Sequence, residues 1–170
     1  MKISLIEHVI STNDSRYLAL KKFEEKYWDL IIKAPGSGHN HQSWEGGYYD
    51  HIVQCYEIAI NLHNILDKNF KFSLDSVFIV LFFHDIEKIW KSEYEVFYID
   101  KKHYYTSTLP EKYNINFTEE ELNALTYIHG EGHEYSKTTR IMNELAGFCH
   151  ACDVLSARCF HDKKEIKWNR

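Results

Sequence analysis

The apolar positions of this chain recur at helical spacing, and nowhere do they alternate long enough to define a strand. Asn13 and Asp14 stand where they can cap a helix running to about Ile32, with Leu18, Phe23, Tyr27, Leu30 and Ile31 as its core positions. Pro35 ends that helix, and 36–47, rich in glycine and containing His39 and His41, has the composition of a loop. A second helix is predicted from about Tyr48 to Asp67, with His51, Cys55, Ile58, Leu62 and Ile65 on one stripe. Ser73 opens a third, whose middle, Val77 to Phe83, is apolar all round and therefore central. The periodicity fails from Lys91 to Phe117, which predicts a long irregular connection. Thr118 and Glu121 form a capping box for a helix ending near Gly130. A last helix covers about Thr138 to His161. The pattern predicts an all-α fold, with residues 1–170 forming a single compact helical bundle of five or more helices.

Composition narrows the field. A chain of 170 residues, 44% hydrophobic and 26% charged with two prolines, fits one folded domain. A net charge of −5 gives no general attraction to nucleic acid, although 20 lysines and arginines leave room for a local basic patch. The opening Met-Lys-Ile-Ser-Leu-Ile-Glu-His-Val-Ile lacks the features of a signal peptide, and Val77–Phe83 is too short to span a bilayer. A cytoplasmic protein without membrane partners is expected, its four cysteines free thiols.

Eleven histidines are unevenly placed. His84-Asp85 ends the most apolar helix, where burying both is costly unless something compensates them. A divalent transition metal (Mn, Fe, Ni, Co or Zn) would do so, and a helix end reaching solvent is the alternative. His51 shares its stripe with Cys55, Ile58 and Leu62. Asp153 lies among Cys149, Ala146 and Ala157, one turn after His150. Inward ligands on three separate helices suit one cation between them. Cys149-His-Ala-Cys152, followed by Cys159 and His161, is a competing zinc-knuckle pattern, against which stands the use of cysteine as a small core residue. Trp44, Tyr48 and Tyr49, beside His51, are the aromatic residues placed to stack on a base.

Order and spacing together resemble the HD superfamily of metal-dependent phosphohydrolases: a His on one helix, a His-Asp pair about thirty residues later, and a distal Asp. Gly46-Gly-Tyr-Tyr-Asp-His51 is similar to that family's Gly-Gly-Leu-x-x-His, with His41 upstream where some members carry a histidine. His84-Asp-Ile-Glu-Lys88 is similar to His-Asp-Ile-Gly-Lys, with Glu87 in place of glycine. His129-Gly130 resembles the end of a His-His-Gly motif, with Ile128 in place of the first histidine. Asn143-Glu144 through His150-Ala-Cys-Asp153-Val-Leu-Ser-Ala157-Arg158 resembles the last helix of HD modules in bacterial 3′→5′ exoribonucleases. The likeness covers about 41–158.

The resemblance implies His51, His84, Asp85 and Asp153 as metal ligands, and a metal-activated water attacking phosphorus. Lys88 is the first candidate for a phosphate contact and Arg158 the second. His129, His133 and His103 are the candidates for holding a second ion, with Asp85 bridging, and His41 and His150 are expected to line the pocket. The resemblance leaves nucleotides and RNA ends open as substrates, and the acidic balance of the chain favours a small nucleotide, with nucleic acid the less favoured partner. The alternatives are a 3′→5′ exonuclease, a cyclic-nucleotide phosphodiesterase, and a regulatory HD module that binds a nucleotide without hydrolysing it.

Overall fold

A computed structural model describes residues 2–37, 41–66, 69–90 and 100–159, and every regular element among them is helical. His39, Asp67, the 91–99 stretch, His161 and the Lys163-Lys164 pair lie outside the described residues. The α-helices are α1 (Leu5–Val9), α2 (Tyr17–Ile31), α3 (Gly47–Ile65), α4 (Leu74–Phe83), α5 (Lys101–His103), α6 (Leu109–Tyr113), α7 (Glu119–Tyr127) and α8 (Glu144–Cys159). No helix among the described residues is long and apolar enough to cross a membrane.

α4 packs on α3, α7 and α8, and its residues Val77 to Phe83 are all buried. That is the expected fate of a helix with no polar face. Ser73 caps it, accepting from the Ser76 amide at 3.1 Å. The Thr118–Glu121 capping box forms on α7. Glu121 then takes a forked pair of bonds from Arg16, at 2.6 and 3.1 Å, which ties the start of α2 to α7.

Several expectations are corrected. α2 begins at Tyr17, because Asp14 accepts from the Arg16 amide at 2.8 Å and shapes the preceding turn instead of capping the helix. The inward face of α2 carries Leu20, Phe23, Glu24 and Ile31, and Leu18 is exposed. Buried Glu24 is satisfied by Ser4 Oγ at 2.5 Å and the Leu5 amide at 2.6 Å, so a carboxylate stands where periodicity favours a hydrophobe. Ile65 is exposed at the end of α3.

The supposed irregular connection is helical from Lys101 to Tyr113, where α5 and α6 are joined by a π-helical turn, Tyr104–Thr108. That turn shifts the 3.6-residue period halfway along, which is why no stripe shows in the sequence. Conversely, α8 starts only at Glu144. Ser136 accepts from the Thr138 and Thr139 amides, and Asn143 accepts from the Ala146 amide at 2.7 Å. Local side-chain bonds thus hold 138–142 out of the helix.

Candidate metal centre

The first turn of α3 is reached through a loop that only glycine allows. A Cβ on Gly47 would stand 1.7 Å from the Gln42 carbonyl oxygen, and Gly46 has φ +78°. The close approach seats Gln42, fully buried, against α3 and α8. From there a polar chain runs to the centre. Gln42 Nε2 and Ser156 Oγ both donate to Gln54 Oε1, at 2.6 and 2.9 Å. Ser156 Oγ, its proton committed to Gln54, accepts from His51 Nδ1 at 3.0 Å. His51 therefore turns its Nε2 lone pair towards Asp153 Oδ1, 3.1 Å away. On the near side, His41 Nδ1 donates to Gln42 Oε1 at 2.6 Å, which also leaves its Nε2 as the lone pair.

His84 is fixed just as firmly. Its Nδ1 donates to the Leu81 carbonyl at 2.7 Å. The later carbonyls at this helix end are taken by side chains: Phe82 O by Tyr48 Oη (2.5 Å), Phe83 O by Tyr105 Oη (2.7 Å) and His84 O by Lys101 Nζ (3.0 Å). Such groups would otherwise be orphaned at a buried helix terminus. His84 Nε2 then lies 3.4 Å from Asp85 Oδ2 and 3.7 Å from Asp153 Oδ1, buried and without a hydrogen bond. His129 closes the outer side, its Nε2 3.5 Å from Asp85 Oδ1 and 3.9 Å from Asp153 Oδ2. The rings of His41, His51, His84 and His129 form a row with centroid spacings of 5.0, 5.4 and 5.6 Å.

Two triads can hold an ion: His51, His84 and Asp153, all buried, and His84, Asp85 and exposed His129. Within each triad the ligand atoms lie within 4.8 Å of one another. Bonds of about 2.0–2.2 Å to one cation would set its donors roughly 3–3.5 Å apart, so small side-chain adjustments suffice. The electrostatics fit as well. Burial pushes His51 down to about 4, so it is a neutral donor at pH 7, with a lone pair facing a carboxylate. Burial also acts to lower His84, but Asp85 and Asp153 outweigh it and hold it up at about 10. Both carboxyls sit below their ordinary range. Burial would raise them, yet the histidines and, at Asp85, Lys88 prevail. The buried His84 Nε2 thus faces two ionised carboxylates, and only a proton or a cation from the cluster side can satisfy it.

The other candidate residues separate. Lys88 Nζ pairs with Asp85 Oδ2, and His41 is half-buried beside His51. His150 is turned aside: its Nδ1 donates to Ile128 O at 2.6 Å and pins the turn that carries His129. His133, His103 and Arg158 are exposed, and neither triad includes them. Tyr48 and Tyr49 are buried with their hydroxyls bonded to Phe82 O and Ile3 O, so neither offers a stacking face. Cys149 and Cys152 are buried free thiols outside both triads, and burial pushes Cys152 up to about 12. They are small core residues, not a zinc site among the described residues.

Sequence reasoning missed Gln42, Gln54, Ser156, Lys101 and Tyr105. Gln54 and Ser156 each lie three residues after a ligand, His51 and Asp153, and that spacing was the available signal. Lys101 and Tyr105 lie in the stretch that gave none. Comparison with protein-family models, curated proteins and solved structures found no match. What identifies this centre is its own donor set: buried histidines and aspartates able to hold a metal ion.

Proposed function

We propose that the chain is a metal-dependent phosphohydrolase of the HD type, acting on a phosphate ester or anhydride of a small nucleotide. The observation that carries this reading is the buried, unbonded His84 Nε2, aimed at two ionised carboxylates and flanked by His51 and His129. A structural core gains little from such a cluster, since buried charges without full compensation cost several kcal/mol, on the order of 3–5 when a partner is lost. His51, His84, Asp85 and Asp153 would hold the ion, and His129 stands at the open side, where a second ion or the substrate would come. A bound divalent cation supplies a lowered water pKa, near about 7, and charge neutralisation at phosphorus.

The chain's own residues do the rest. Ser156 and Leu81 O hold the two inner imidazoles with Nε2 facing the site. Against burial, His84 and then Lys88 keep Asp85 ionised, and the Lys88 ammonium, paired with Asp85, is placed to swing onto a phosphoryl oxygen. The Val77–Phe83 core behind His84 excludes water from that side.

The test is elemental analysis of dialysed protein, followed by incubation with Mn²⁺ and a panel of nucleoside phosphates, cyclic nucleotides and a labelled oligonucleotide. At least about half an equivalent of metal and release of phosphate or nucleotide, both lost in His84→Ala, is the expected result. Metal without turnover would instead favour a nucleotide-binding regulatory module. Faster cleavage of the oligonucleotide would favour the exonuclease. Absence of metal in the wild type would refute the centre.

A further inference from the structure

Glu87 lies in the 3₁₀ turn Ile86–Trp90 just after α4, two residues past a ligand, and belongs to neither triad. One of its carboxylate oxygens, Oε2, is buried without a hydrogen bond. The other, Oε1, pairs with Lys101 Nζ at 3.2 Å. The same ammonium donates to His84 O at 3.0 Å. A glutamate in that place buries a polar atom at a cost that glycine would avoid.

Lys101 comes from farther along the chain. Asp100 caps the short α5, accepting from the His103 amide at 3.1 Å, and so starts the helical stretch 101–113. Lys101 and Tyr105, four residues apart on it, share a face. From that face they donate to consecutive carbonyls, Lys101 to His84 O and Tyr105 Oη to Phe83 O at 2.7 Å. The rings of Trp90 and Tyr104, with centroids 5.9 Å apart, join the same two pieces of chain.

His84 O is the oxygen of the peptide group that links His84 to Asp85. A peptide group is planar, so fixing the direction of its oxygen fixes the Cα atoms of both ligands together. Leu81 O holds the His84 ring from the other side. As a stability device the ion pair is weak: the Lys101 side chain is 38% exposed, and pairs so open to water contribute little. A hydroxyl suffices for the carbonyls of Phe82 and Phe83. What an ammonium adds is a charge-assisted bond, roughly twice as strong as a neutral one. Its long, flexible stem needs a partner to aim it, and Glu87 is that partner.

We propose that Glu87 and Lys101 form a clamp that positions His84 and Asp85 for the metal ion. Lys101 acts through the peptide group the two ligands share, and Glu87 acts by holding Lys101 there. Both are positioning residues, and neither is a ligand. The inference deepens the reading of the centre as a metal site and rests on it.

The sign of the effect separates this role from simple electrostatics. Lys101 is a cation beside a cation site, so removing its charge alone would tighten metal binding, whereas loosening the peptide group weakens it. Full-length protein is freed of metal with a chelator, and Mn²⁺ affinity is measured by competition in wild type, Lys101→Met and Lys101→Arg. Metal-free Tm and the electron paramagnetic resonance spectrum of bound Mn²⁺ are recorded beside it. Lys101→Met should bind Mn²⁺ about tenfold more weakly, with an altered spectrum. Lys101→Arg, which can still donate to His84 O and pair with Glu87, should match the wild type. Because Lys101→Met strands the Glu87 carboxylate, Lys101→Met/Glu87→Gln is made as well, and the same loss is expected. Tyr48→Phe, which removes the bond to Phe82 O, is the comparison: it should lower metal-free Tm and leave affinity unchanged. Unchanged or tighter Mn²⁺ binding in Lys101→Met and in the double variant would overturn the clamp while the centre stands. An equal loss of affinity in Tyr48→Phe would overturn it too, by showing that any weakening of this helix end is enough. A wild type that binds no metal would overturn the centre, and the clamp with it.

Discussion

Replacing Ser156 by alanine removes a single buried hydroxyl and separates metal affinity from fold stability. In the wild type that hydroxyl donates to Gln54 Oε1 at 2.9 Å and accepts from His51 Nδ1 at 3.0 Å. Gln54 keeps the Gln42 amide at 2.6 Å, so the glutamine pair survives. His51 does not: it is fully buried, and either its Nδ1–H is left unsatisfied or its proton moves to Nε2. The first outcome costs about 1–3 kcal/mol of stability. The second places a proton where the ion should bind. Loss of such an orienting partner typically weakens metal affinity by about 10–100-fold, or about 1.4–2.7 kcal/mol.

The two effects are read apart by thermal unfolding with and without Mn²⁺. A ligand of the native state alone stabilises it by RT ln(1 + [L]/Kd), so a hundredfold weaker site forfeits about 2.7 kcal/mol of metal-induced stabilisation. At about 2–4 °C per kcal/mol for a domain of this size, the metal-induced rise in Tm should shrink by roughly 5–10 °C. At tenfold it should shrink by roughly 3–6 °C. A competing chelator gives Kd directly. A lower metal-free Tm with an undiminished metal-induced rise would show that Ser156 supports the core and does not orient His51.

His84→Ala should abolish metal retention, and full metal content in an Asp85→Asn, Asp153→Asn double variant would sink the site. Tyr48→Phe leaves Phe82 O without its 2.5 Å donor, and should lower stability by about 1–3 kcal/mol while metal content holds; chemical denaturation reads it. Gly47→Ala, whose Cβ would meet Gln42 O at 1.7 Å, should displace the loop and lower both Tm and metal affinity. Gly132→Ala, at φ +56° with no atom in the way, should cost only about 1 kcal/mol. Burial, the dominant influence, raises the Glu24 carboxyl, so the folded state binds its proton more readily than the unfolded chain. Its unfavourable contribution is therefore greatest above the raised pKa, and diminishes as pH falls through that value towards the ordinary one. Denaturation midpoints of Glu24→Gln minus wild type should be most positive at neutral pH and decline in mild acid; a difference independent of pH would refute the assignment.

The sequence by itself determined the helical class, because a 3.6-residue apolar period survives in α2, α3 and α7, and a continuous apolar run can only be central. It also put His51, His84, Asp85 and Asp153 on inward sides of three helices before any contact was known, although Ile65, read onto the same stripe as His51, is exposed. Where a strong local device overrode the period, the same reasoning failed. Examples are the Asp14 turn, the Ser136 and Asn143 bonds before α8, and the π-turn after Tyr104. Only the tertiary structure decided which imidazole nitrogen faces the centre. That depends on partners far off in the chain, Ser156 for His51 and Gln42 for His41's loop, and on Lys101 and Tyr105 closing the end of α4. Periodicity reports which face of a helix meets the core. Hydrogen bonds about 3 Å long between residues tens of positions apart arise only once the helices are packed, and they set the lone pairs on which binding depends.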